Sequence, residues 1–263
     1  MVSLNGHKIL VTRPAPQSEH LCKLITTEGG QPIRLPVIQI VDIDATSTLQ
    51  DCLAYFNKSY AAIFISANAV KKVMPTLLAR HDLLECTRII GVGKHTADTL
   101  RSYGLNAFCP APPFNSEAIL AMPLLEKTMI QGKKIVIFRG EGGREFLIET
   151  LRKRGAQIEY MNVYRRIRPS TPTWLANSKL DILTATSVEG LQNLFTMFVG
   201  QTERKQIPLV VMSQRVRLAA LKLEIKAPIF VAPTASDEGL LAAIIRAAQS
   251  IKIDKSDFNK LPR

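Results

Sequence analysis

Residues 132–166, GKKIVIFRGEGGREFLIETLRKRGAQIEYMNVYRR, decide the fold. They read as one βαβ unit. The stretch 133–138 is a short apolar run rich in β-branched residues, the pattern of a parallel strand buried on both faces. RGEGG is a glycine-rich turn with Arg139 and Arg144 at its ends. Residues 145–154 have helical periodicity: Leu147, Ile148 and Leu151 share a face and charges fill the rest. Gly155 is placed to end that helix, with Arg152, Lys153 and Arg154 at the negative end of its dipole. QIEYMNVYRR is then a second extended segment, in which simple alternation puts Tyr164 on the side of Tyr160 and Asn162.

The same pattern occurs earlier. GHKILVTRPAPQSEHLCKLITTEGGQPIRLPVIQ, residues 6–39, aligns with it without a gap. Gly6, Lys8, Ile9, Arg13, Glu19, Leu21, Gly29, Gln31 and Val37 recur as Gly132, Lys134, Ile135, Arg139, Glu145, Leu147, Gly155, Gln157 and Val163. FISANAV around Ser66 then pairs with ATSVEGL around Ser187, GVGKHTADTL with VMSQRVRLAA, and NSEAIL with ASDEGLL. The reading is a tandem duplication of a unit of half the chain, too long a period for a solenoid.

With 263 residues, 46% of them hydrophobic, the chain is long enough for two cored domains. No apolar run approaches a membrane span. The N-terminus lacks the pattern of a signal peptide, so cytoplasmic residence is the expectation. Cys22, Cys52, Cys86 and Cys109 are scattered without CxxC spacing, which argues for reduced thiols rather than disulfides or zinc. A net charge of +12 and a pI near 9.7 call for an acidic partner: nucleic acid, an anionic membrane surface or a polyanionic small molecule. No lysine-rich tail, helix-turn-helix or RNP motif supports nucleic acid, and aromatics are only 6%.

Strands alternate with helices along the rest of the chain, predicting parallel sheets with right-handed crossovers. Strands are expected at 8–11, in IRLPVIQIVDI with a break at Pro36, and in AAIFI, TRIIGV, NAFCPA, LDILTA, PLVVM and PIFVAP. Helices are expected at 17–28, 46–56, 69–80, 96–103, 117–125 and 237–251, and residues 252–263 read as a charged tail without structure.

The strand ends carry the polar chemistry. Thr12 and Arg13, Ser66, Ala67 and Asn68, Gly93, Lys94 and Thr96, Ser116, Arg139 and Gly140, Thr186 and Ser187, Ser213 and Arg215, and Ser236 all follow expected strands. Ligands of open α/β sheets bind outside those ends, where helix N-termini offer free N–H groups to anions. Each serine is equally well placed as an ordinary N-cap. GVGKHT lacks the spacer of a P-loop, and RGEGGRE is not GxGxxG. No metal-ligand cluster is spelled out. Tyr164 reads by pattern alone as a packed strand tyrosine.

ILVTRP, FISANAV, GVGKHTADTL, SEAIL, the RGEGG-to-VYRR block and ASDEGLLAAI together resemble the uroporphyrinogen-III synthase family over residues 8–249. FIS stands where FTS is common, and SQR where some members have Gly and Thr. The resemblance implies two flavodoxin-like α/β domains with parallel sheets, 1–36 with 168–251 and 41–163, joined by a two-stranded antiparallel linker, 37–41 with 163–167. It implies a cofactor-free, metal-free lyase that cyclises hydroxymethylbilane, a linear polycarboxylate, with loss of water and inversion of ring D. It further implies Tyr164 as the acid for the departing hydroxyl, the strand-end residues as substrate contacts, a monomer, and hand-over from hydroxymethylbilane synthase without nucleic acid or membrane. A non-catalytic, anion-responsive binding protein is the competing reading of the same basic fold.

Overall fold

A strand made only of aliphatic residues needs cover on both faces, and in this chain nearly every such run is fully covered. The computed structural model describes residues 3–43, 56, 59–79, 88–142 and 145–258. In chain order its strands are β1 (Lys8–Val11), β2 (Gln31–Arg34), β3 (Gln39–Asp42), β4 (Ala61–Phe64), β5 (Arg88–Gly91) and β6 (Ala107–Phe108). They continue with β7 (Lys134–Gly140), β8 (Gln157–Ile167), β9 (Ile182–Ala185), β10 (Leu209–Val211) and β11 (Ile229–Val231). Every residue of β4, β9 and β10 is buried.

Backbone contacts divide the chain into two compact units, Met1–Gln39 with Ile167–Arg263, and Ile40–Arg166. The first unit holds a sheet of order β11-β10-β9-β1-β2, parallel throughout. The second holds the order β3-β8-β7-β4-β5-β6, parallel from β8 to β6. Mixed helix–strand alternation thus gives the expected α/β class with parallel sheets. Matched through the repeat, β8, β7, β4, β5 and β6 occupy the same places as β2, β1, β9, β10 and β11.

Alternate residues face opposite layers. In the first unit Leu10, Leu183 and Val211 pack with Leu191 and Leu194 on one face, and Ile9, Val11, Ile182 and Val210 with Leu240 and Ile244 on the other. In the second, Ile63, Ile90, Ile135 and Ile137 pack with Leu147 and Leu151, whereas Phe64, Val136 and Phe138 pack with Val70, Val73 and Leu100. Gly29 and Gly155 end equivalent helices with φ of 74° and 87°, a conformation that a Cβ makes costly.

Several boundaries differ from expectation. The segment broken at Pro36 becomes two strands in different sheets, β2 and β3. The helix expected over 117–125 is Ser116–Leu120 followed by a 3₁₀ turn, Pro123–Leu125, because Pro123 cannot continue the hydrogen-bond ladder. The last helix is Asp237–Phe258, so 252–258, expected to be structureless, continue it. After Gly239 no Gly or Pro interrupts that stretch, and a helix runs on until backbone chemistry stops it. Most of the helix expected at 46–56 lies outside the described residues, as do 259–263.

Phe138 is fully buried and stacks on Phe64 with ring centroids 4.8 Å apart. Phe138→Ala should cost about 3–5 kcal/mol. Urea unfolding followed by circular dichroism measures this, and an unchanged midpoint would contradict the packing.

Candidate active site

Parallel strands point the same way, so the carboxyl ends of all five strands of the first unit's sheet, and those of β8, β7, β4, β5 and β6 in the second, each meet at one edge. In the second unit that edge carries Ser66, Gly93, Lys94, Arg139, Gly140 and Tyr164.

Tyr164 is placed there by a β-bulge. On β8, Asn162 lies opposite Arg139, but Tyr164 lies opposite Gly140, so Val163 is an extra residue. One extra residue inverts the faces beyond it. Tyr164 therefore does not share a face with Tyr160 and Asn162, as simple alternation predicts. It joins Met161 and Phe138 in the core and is only 4% exposed, whereas Tyr160 is 41% exposed.

Gly140 makes room for the ring. A Cβ on Gly140 would lie 2.5 Å from Tyr164 Cζ and 2.8 Å from its hydroxyl oxygen. The backbone N–H of Glu141 donates to the Tyr164 carbonyl at 2.9 Å, locking the strands where the ring crosses. The Tyr164 Oη then meets Ser66 Oγ at 3.0 Å. Ser66 is the N-cap of the helix Ala67–Leu78, its Oγ accepting the Ala69 N–H at 3.2 Å. Ala67 is buried and Asn68 half-buried in the first turn of that helix.

The arginines of this edge have carboxylate partners. Arg139 is buried, donates to Glu145 at 2.9 Å and lies 5.5 Å from the centre of the Tyr160 ring. Arg165 pairs with Glu141 at 2.5 Å. Gly93 is the N-cap of the helix Lys94–Ser102 without a side-chain cap, and Lys94 is exposed while Thr96 is buried. Ser116 is not a cap. Asn115 takes that place, its Oδ1 accepting the Ala118 N–H at 2.8 Å, and Ser116 is the first helical residue. Asparagine is as good a cap as serine, so the signal was present one residue earlier.

The first unit repeats the edge with different chemistry. Thr12 Oγ1 donates to the Thr184 carbonyl, and Thr184 Oγ1 to that of Leu10, each at 2.8 Å and buried. Arg13 pairs with Asp237, which also sits 3.2 Å from His20 Nδ1. Thr186 and Ser187 follow β9, and Ser187 Oγ accepts the Gly190 N–H at 3.0 Å. Ser213 is an N-cap without a side-chain cap bond, and Arg215 is exposed in the turn after it. Ser236 Oγ accepts the Gly239 N–H at 3.0 Å. Backbone hydrogen bonding first, and then the Ser236 hydroxyl, hold the Glu238 carboxyl below its ordinary value. In the repeat, Ile38 and Pro14 stand where the second unit has Tyr164 and Gly140. Ile38 packs against the core. Only the second unit carries the phenol.

Among the described residues no group of three or more His, Cys, Asp or Glu is placed to hold a metal ion, and no helix is long and apolar enough to cross a membrane.

Residues 19–242 match the family model described as uroporphyrinogen-III synthase HemD. The uroporphyrinogen-III synthase of Salmonella typhimurium is 31% identical over 248 residues, covering 90% of this chain and 99% of that protein. That of Escherichia coli is 29% identical with the same coverage. Two solved structures share the fold. A mutant uroporphyrinogen III synthase from Thermus thermophilus has a TM-score of 0.62 at 15% identity, covering 93% of this chain and 100% of that one. A uroporphyrinogen-III synthetase from Helicobacter pylori has a TM-score of 0.60 at 16% identity, covering 92% and 99%.

Gly140→Ala forces a methyl group into the Tyr164 ring, and overpacking of this kind costs about 1–3 kcal/mol. The expected outcome is a lowered melting temperature, and a Gly140→Ala/Tyr164→Ala chain that is no less stable than Tyr164→Ala alone, because the clash needs the ring. A Gly140→Ala protein as stable as the parent would contradict the close approach.

Proposed function

The chain belongs to the uroporphyrinogen-III synthase family, cyclising lyases of tetrapyrrole biosynthesis that act on hydroxymethylbilane, and on that premise we propose that Tyr164 assists loss of the substrate hydroxyl. The observation that carries this reading is the phenol of Tyr164, brought to the carboxyl edge of its sheet by the bulge and by the missing side chain of Gly140. Hydroxymethylbilane loses its hydroxyl when the C–O bond breaks and the electron pair leaves with oxygen. The Tyr164 proton turns that oxygen into water. The azafulvenium cation left behind is stabilised by the pyrrole nitrogen. The substituted carbon of ring D attacks this cation, the spiro intermediate fragments and recloses with ring D inverted, and the proton lost as the last pyrrole re-aromatises restores the Tyr164 phenol. No redox change occurs in any step.

The carboxylates of the substrate are matched by helix N-termini at Ser66, Gly93, Ser187, Ser213 and Ser236 and by the exposed side chains of Lys94 and Arg215. Arg13 and Arg139 already have carboxylate partners and act on the substrate only if those pairs open. Positioning supplies most of the selectivity, because closure without inversion competes with the reaction. That spontaneous competition favours hand-over of the substrate directly from hydroxymethylbilane synthase, and we read the protein as a monomer acting in the cytoplasm. We assign residues 37–41 and 163–167 to the linker between domains 1–36 with 168–251 and 41–163. The shared strand order supports their origin by duplication.

General acid assistance contributes about 10²–10⁴-fold, and the low end applies here because the pyrrole nitrogen already helps expel the hydroxyl. Tyr164→Phe should slow turnover of hydroxymethylbilane by about that low factor. It should leave the melting temperature nearly unchanged and still give mostly the type III isomer. Turnover at the parent rate would remove the acid role. Slow turnover giving mainly the type I isomer would make Tyr164 an orienting group instead.

A further inference from the structure

A serine hydroxyl has one proton and two acceptor positions. Ser66 uses one acceptor position for the Ala69 N–H, and that cap leaves its proton unassigned. The only side-chain oxygen within hydrogen-bond distance of Ser66 Oγ among its described contacts is Tyr164 Oη, at 3.0 Å. In the resting state the phenol, the stronger acid, can donate to Ser66 through its second acceptor position. Once the phenol has given its proton away, its oxygen is an acceptor only, and the Ser66 proton is the one in reach.

We infer that Ser66 is a positioning residue for the reaction, turning its hydroxyl to donate to Tyr164 Oη as negative charge develops there. The inference rests on the acid role of Tyr164 argued above. The step balances: the Tyr164 O–H bond breaks, the proton goes to the departing hydroxyl to make water, and no other bond of Ser66 changes. Two further features support it. The oxygen pair sits at the first turn of the twelve-residue helix Ala67–Leu78, whose positive end favours an anion. The ring also packs close against Gly140, where a Cβ would lie 2.8 Å from the Tyr164 hydroxyl oxygen, and that contact helps fix the phenol beside Ser66. The repeat mate Ser187 keeps the cap to Gly190, but the place of the phenol is taken by Ile38. Capping therefore exists without the phenol in one unit, and capping with the phenol in the other.

The test compares steady-state turnover of hydroxymethylbilane by Ser66→Ala, Ser66→Thr, Ser66→Asp, Tyr164→Phe and the double variant Ser66→Ala/Tyr164→Phe in the full chain. Donation to a developing anion predicts that Ser66→Ala lowers kcat roughly ten-fold with KM nearly unchanged. Ser66→Thr, which keeps the hydroxyl, should recover most of the loss. Ser66→Asp keeps a good N-cap but has no proton to give, so it should stay slow even if Ser66→Ala folds poorly. The double variant should be no slower than Tyr164→Phe. Multiplicative losses in the double variant, a parent-like kcat in Ser66→Asp, or a raised KM with unchanged kcat in Ser66→Ala would each overturn the inference. Slow Tyr164→Phe with parent-like Ser66→Ala sinks it alone. Parent-like Tyr164→Phe sinks the acid role and this inference together.

Discussion

Parallel strands cannot be joined by tight turns, and each pair needs a crossover that returns the chain to the starting edge. That constraint organises both units. Among the described residues, helices that follow a strand within a unit begin near the edge where that strand ends, so backbone N–H groups gather there without any charged residue being required. Ser66, Gly93, Ser187 and Ser213 are the first products of this geometry: all are N-caps in extended conformation directly after strands. A protein that handles a polycarboxylate gains donors from its topology, and its free basic side chains serve mainly to attract the ligand.

Duplication would make two such edges alike, and the two differ in one respect that the proposed acid role of Tyr164 needs. The two sheets share strand order, helix-ending glycines and capping serines, but only the second has the bulge partner Tyr164 over Gly140. In the first, Pro14 and Ile38 fill the corresponding places, and Asn193 Nδ2 donates to the Val37 carbonyl at 2.9 Å. One edge thus carries a phenol where the other carries hydrocarbon. Even the repeated arginines diverge. Arg139 takes Glu145, whereas Arg13 passes over the equivalent Glu19 and takes Asp237, which is far away in sequence.

Much of this was legible in the residues. AAIF, ILTA and LVV are apolar without alternation, and all prove to be strands buried on both faces. Gly29 and Gly155 marked helix ends because few other residues accept a positive φ. The α/β class followed from the alternation of such elements, and the family from a resemblance carried by ILVTRP, FISANAV, GVGKHTADTL and the RGEGG-to-VYRR block in order. The face of Tyr164 was not legible, because a bulge only shifts the phase of the alternation by one residue, and the strand ends too soon after Val163 for the shift to show. Gly140 looked like part of a flexible glycine turn, and its actual role, admitting a ring from β8, needs the pairing register. The Arg13–Asp237 pair joins the two ends of the chain, and no local pattern encodes such a contact. Of the two roles open to Ser116, the cap belongs to Asn115, which is adjacent and equally able.

The central claim is that bulge, glycine and serine together aim one buried phenol at the leaving hydroxyl of the substrate. A crystal structure of the protein with an unreactive bilane carrying 2-hydroxyethyl in place of hydroxymethyl tests it most directly, since a hydroxyl one carbon further from the pyrrole cannot depart to give an azafulvenium. The account predicts the analogue hydroxyl at hydrogen-bond distance, about 2.6–3.2 Å, from Tyr164 Oη, with Ser66 Oγ still in contact on its other side. An analogue bound with its hydroxyl turned away from Tyr164, and the phenol bonded to Ser66 alone, would contradict it.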